Sequence, residues 1–112
     1  MPVKHGERMT TKMIFISQPT IAEMKAAKYM YKFVRVEKDG KIIYRFTSHM
    51  NQHCQLVEEG ETPVSAGTFS VWADRVRMEE TYSSTLRIGT LPEDEDYLAK
   101  VFELPVKGKW ED

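Results

Sequence analysis

The sequence predicts a single α+β domain, built on one antiparallel sheet of about five strands with two or three helices packed on one face. Three observations carry that reading. Asp39-Gly40 separates two β-rich runs, residues 75–88 alternate apolar and polar side chains, and two segments open with capping-box spacing. The chain has 112 residues, 41% of them apolar, which is enough for one core and too few for two domains or a barrel of repeated units.

In chain order, Met13-Ile14-Phe15-Ile16 reads as a short strand stopped by Pro19. Thr20 and Glu23 then have capping-box spacing, and Ile21, Met24 and Ala27 form an apolar stripe, predicting a helix over residues 21–30. The runs 32–37 and 41–46 flank Lys38-Asp39-Gly40 and predict a hairpin, with Ile42, Tyr44 and Phe46 on one face of its second arm. Residues 48–60 admit two readings: an extended chain in which Cys54, Leu56 and Val57 begin a strand turning at Glu59-Gly60, or the favoured helix, with Ser48 as cap, Met50, His53, Cys54 and Val57 on one stripe and Gly60 closing it. Residues 64–71 predict a strand in which Gly67 marks a bulge or the close approach of another backbone.

From residue 75 to 88 the period is two. Val76, Met78, Tyr82, Leu86 and Ile88 occupy one side, and Arg75, Arg77, Glu79, Thr81, Ser83, Thr85 and Arg87 the other. Glu80 and Ser84 interrupt the apolar side, so two strands or a bulge near Glu79-Glu80 are expected. The last helix is signalled by Thr90 as cap, Pro92 in the first turn and Glu93 completing a capping box. Leu98, Val101 and Phe102 form its buried stripe and Pro105 its end. Residues 1–11 and 107–112 read as polar tails on a domain spanning 12–106, with Trp110 expected to fold back onto that domain.

Composition narrows the function classes. Sixteen basic against seventeen acidic residues, a net charge of -1, argue against a dedicated nucleic-acid binder. No apolar run approaches the ~20 residues that span a bilayer, so no membrane partner is expected. The single cysteine, Cys54, fits a reducing cytosol and reads as a small core residue rather than a nucleophile, with no lysine or arginine within five positions.

Few residues suggest chemistry. There is no phosphate-binding glycine loop and no nucleophile elbow. His49 and His53 lie four apart beside Cys54, but without an acid adjacent to His49 they do not form the metalloprotease signature, and no metal or cofactor is expected. His49, as general base, with Ser83 at a hydroxyl-rich strand end is the sharpest catalytic pairing. Glu93, Asp94, Glu95 and Asp96 oppose any anion held near the last helix. One unit charge repels another by about 4 kcal/mol at ~4 Å in an effective dielectric of ~20. His53, Cys54, Trp72, Arg75, Arg77 and Arg87 are the candidate binding residues. An RNA-stacking surface is disfavoured because Tyr82 has the opposite parity to the arginines.

The ordered set His53-x-x-Leu56, Val64-Ser65-Ala66-Gly67, Ser83-Ser84-Thr85-Leu86 and Pro92-Glu93-Asp94 resembles small bacterial proteins with a V-x-S-A-G strand, an S-x-[ST]-L strand and a P-E-D helix start. That resemblance covers about residues 49–102 and implies no particular activity. The order of elements is also similar to the phosphohistidine phosphatase (Janus/Ocnus) family, which would make His49 the catalytic position, although the family's glycine-rich phosphate loop is missing here. The expectation is therefore a small cytosolic, non-enzymatic protein acting by association, as a homodimer or with another protein. The competing expectation is a small hydrolase using His49.

Overall fold

The computed structural model describes residues 14–27 and 29–104. Its sheet grows from the hairpin. Strands β1 (Met30–Lys38) and β2 (Lys41–Ser48) meet at Asp39 and Gly40, whose φ angles of 55° and 78° give the doubly left-handed turn that matches strand twist. Strand β3 (Thr62–Val71) pairs with the other side of β1, and β4 (Val76–Glu80) with β3, giving the antiparallel order β2-β1-β3-β4. A separate two-stranded ribbon is made by β5 (Tyr82–Ser83) and β6 (Ile88–Gly89). Helices α1 (Ile21–Ala27) and α2 (Asp94–Val101) and a 3-10 turn at His53–Leu56 complete the described fold.

The α+β class and the antiparallel sheet are as expected, but the strands divide four and two instead of forming one sheet of about five. The cause lies in the 75–88 stretch. Glu79 is an extra residue in β4, so the register slips between Thr68 and Phe69, and the alternation breaks after Glu80. Parity then fails locally: Tyr82 is exposed on the side expected to be dry, and Ser83 is buried on the side expected to be wet.

Other expectations are corrected by specific bonds. Residues 14–16 form no strand; Phe15 is exposed and Ile16 packs inward. The capping box of α1 is present, with Thr20 N–H donating to Glu23 Oε1 at 2.8 Å and Glu23 N–H to Thr20 Oγ1 at 3.1 Å. The helix nevertheless stops at Ala27, because Met30 already belongs to β1.

Residues 48–60 contain only the 3-10 turn. In an α-helix the Glu58 amide would bond to the Cys54 carbonyl and the Leu56 carbonyl would accept from Gly60. Here Glu58 N–H donates to Glu61 and Leu56 C=O accepts from Arg45, so a buried ion pair takes the groups a longer helix needs. Met50, expected on the buried stripe, is exposed.

Helix α2 starts at Asp94, not at a Thr90 cap, because Asp94 Oδ2 accepts the Leu91 amide at 2.7 Å. Leu98 and Phe102 are buried as expected, whereas Val101 is exposed. Trp110, the 107–112 tail and residues 1–11 lie outside the described residues.

Two apolar clusters flank the sheet. On the helix side Tyr31, Phe33, Phe46, Phe69 and Val71 pack with Met24 of α1 and Leu98 and Phe102 at α2. The Phe69 ring lies 5.5 to 6.0 Å from those of Phe33, Phe46 and Phe102. On the opposite face Val34, Val36 and Ala66 are covered by Leu56 and Val57 and by Leu86 and Ile88 of the ribbon. That cover is short, and the end of the face carrying Met30, Ser70 and Arg77 lies beyond it.

Gly67, inside β3, is closely approached by neighbouring chain. A β-carbon there would sit 2.8 Å from the Glu80 carbonyl oxygen, 2.6 Å from Thr90 Cγ2 and 3.1 Å from the Phe33 ring. Gly67→Ala is therefore expected to destabilise the protein by about 1–3 kcal/mol, the cost of overpacking. Chemical denaturation of both proteins checks this, and an unchanged midpoint would contradict it.

Candidate functional site

His49 is exposed in the connection after β2, whereas Ser83 is almost fully buried in β5. The Ser83 hydroxyl accepts the Leu86 amide at 3.3 Å and lies 3.4 Å from the Thr85 hydroxyl, while its carbonyl accepts the Arg87 amide at 2.7 Å. Those bonds hold the turn of the ribbon, and Arg87 itself takes a left-handed φ of 59° there. Neither His49 nor Ser83 lines any of the three clefts described below.

His53 is buried, and its Nε2 lies 2.8 Å from the Gly67 carbonyl oxygen. A carbonyl only accepts, so Nε2 carries the proton. Burial pushes the imidazole below its ordinary pKa of 6.5; the Gly67 bond works against that shift, and Lys32 adds to it. Cys54 is half-buried, and its amide donates to Thr85 Oγ1 at 3.3 Å, tying the 3-10 turn to the ribbon. His53 and Cys54 thus join the sheet to its second cover. Among the described residues no three His, Cys, Asp or Glu side chains are grouped to hold a metal ion, and no helix is long and apolar enough to cross a membrane.

The arginines do not share one patch. Arg75 and Arg77 line a shallow cleft of about 280 Å³ with Val76, Met78 and Glu95, while Arg87 sits in the ribbon turn. A second shallow cleft, about 390 Å³, runs between α1 and the end of β2 and includes Pro19, Glu23, Tyr31 and Ser48.

Trp72 belongs to a third cleft, about 370 Å³, lined by Tyr29, Met30, Ser70, Val71, Ala73 and Glu79. Its position follows from the sheet: Met30 pairs with Ser70 at the open end, and Trp72 begins the turn closed by Trp72 N–H donating to the Arg75 carbonyl at 2.8 Å. Trp72 Nε1–H donates to Ser70 Oγ at 2.9 Å, and Ser70 Oγ–H donates to Glu79 Oε2 at 2.6 Å. The indole's polar edge is thereby satisfied and its orientation set, with an apolar wall and a carboxylate presented together.

Sequence reading misses a buried charge cluster on the helix side. Arg35 is 6% exposed on the helix side of β1. Its Nη1 lies 3.2 Å from Glu93 Oε2 and 3.7 Å from Asp94 Oδ1, its Nη2 3.5 Å from Glu37 Oε2, and its Cζ 6.0 and 5.5 Å from the rings of Tyr44 and Tyr97. Fully buried Asp94 also accepts the Tyr44 hydroxyl at 2.6 Å. Burial and the Asp94 charge hold the Tyr44 phenol well above its ordinary range, so it stays a donor. A signal existed: Arg35 has the parity of Tyr31 and Phe33, a charge on the apolar register of its strand. On the other face, Arg45 and Glu61 form a two-pronged pair that holds the Glu61 carboxyl below its ordinary range.

No protein-family model matches this chain, and comparison with curated proteins and with solved structures finds no match.

Because His53 has a lowered pKa when folded, its contribution to stability is complete above about pH 6.5 and is lost as pH falls toward the folded value. His53→Gln keeps an amide donor for Gly67 without the titration. The variant is expected to lose less stability than the native protein between about pH 6.5 and 5. Denaturation midpoints across that window test this, and equal pH slopes would contradict it.

Proposed function

We propose that this protein acts in the cytosol by association, as a non-enzymatic interaction protein whose partner is most simply a second copy of itself. One observation carries the reading. Tyr29, Met30 and Trp72 are 66, 41 and 49% exposed, and they line one cleft at the open end of the sheet. Single exposed apolar side chains need no explanation, but three large ones gathered at a cleft suggest a contact surface.

The surroundings support this. Asp74, Arg75, Arg77 and Glu79 lie in or beside β4, giving an apolar centre with a charged rim, as interfaces have. Trp and Tyr supply large contact area at low conformational cost, and Met adapts to its neighbour. Three deeper polar side chains already have partners, Arg35 with Asp94, Arg45 with Glu61 and His53 with the Gly67 carbonyl, while Arg35 Nε and the Ser65 hydroxyl are buried without a hydrogen bond among the described residues.

Light scattering on the purified protein from micromolar to millimolar concentration tests the proposal. The expected mass rises from that of one 13.0 kDa chain toward two, and Trp72→Ser returns it to one. A single-chain mass at every concentration would contradict the self-association reading.

A further inference from the structure

The composition of the Trp72 cleft says more than that it is apolar. Two aromatic residues, Tyr29 and Trp72, line it together with one carboxylate, Glu79. Resting on the association reading above, we propose that the cleft receives an arginine side chain of the partner chain, its guanidinium against the aromatic rings and bonded to Glu79.

Three features support an arginine. Glu79 directs Oε2 at Ser70, while its Oε1 takes no hydrogen bond from any described residue and can accept an incoming N–H. The chain Trp72–Ser70–Glu79 fixes indole and carboxylate relative to each other before binding, so little ordering is needed when a guest arrives. A planar guanidinium can stack on an aromatic face and donate to a carboxylate at once, which an ammonium does less well.

The protein's own Arg77 is the nearest competitor. Its Nε lies 3.8 Å from Glu79 Oε2, and its side chain is 56% exposed. That contact involves the oxygen already bonded to Ser70, and an exposed pair at this separation is weak. It leaves the second oxygen to a guest.

The test uses the full chain with Trp110→Phe, leaving Trp72 as the sole indole, and follows the Trp72 Nε1–H resonance by NMR. N-acetyl-arginine amide is the probe, and the citrulline analogue is its uncharged isostere. The expected result is a saturable shift with the arginine compound. Binding should be about tenfold weaker for citrulline, and about tenfold weaker for arginine when Glu79→Gln is introduced. Equal binding of the two compounds, no effect of Glu79→Gln, or no saturable shift would each overturn the inference.

The two readings fail separately. A Trp72-dependent dimer that does not distinguish arginine from citrulline removes the guanidinium and keeps the association. Arginine binding by a protein that stays at single-chain mass removes self-association, leaving an arginine of a different protein as the guest.

Discussion

Burial of Arg35 opposite Asp94 is the constraint around which the helix side of this protein is arranged. A guanidinium and a carboxylate taken out of water must be paired and hydrogen-bonded, or the cost exceeds what a small domain tolerates. Asp94 meets the requirement in three directions, to Arg35, to the Tyr44 hydroxyl and to the Leu91 amide. Those contacts connect β1, β2 and the start of α2, and so fix where the helix lies. Leu98 and Phe102 can then reach Phe33, Phe46 and Phe69 from the next turns. Helix propensity alone would not place eight residues with such accuracy.

The opposite face obeys the same rule with different parts. Arg45 and Glu61 pair beneath the 3-10 turn, and their remaining bonds end it at Leu56 and Glu58. His53 joins the turn to Gly67, a position with no room for a side chain. Of the groups that a sequence scan nominates for chemistry, His53, Cys54 and Ser83 are thus engaged in holding covers on the sheet, whereas His49 is exposed after β2. The cover on this face ends before Met30 and Ser70, and the aromatic cleft lies there. Its role in association follows from that geometry as a proposal.

Much of the fold was legible because local rules and tertiary packing agreed. Asp39-Gly40 needed left-handed backbone, Thr20 and Glu23 capped each other, and Gly67 signalled a close approach. What escaped was set by long-range contacts. The 48–60 segment has helical spacing, but Arg45 and Glu61, outside or at its edge, claim its backbone. The acidic run at 93–96 looks like a solvated first turn, yet Glu93 and Asp94 face Arg35, 58 and 59 positions away. Trp72 stands out in the sequence, whereas its companions Tyr29, just before β1, and Glu79, at the β4 bulge, are brought to it by the sheet.

The most direct test of the central constraint is a double-mutant cycle on Arg35→Met and Asp94→Asn, read by equilibrium denaturation. If the buried charge pair holds α2 to the sheet, each single variant leaves an uncompensated buried group and loses about 3–5 kcal/mol. The double variant then loses clearly less than the sum of the two. Losses that simply add would show that the two residues contribute independently, and would contradict the account of how this fold is held.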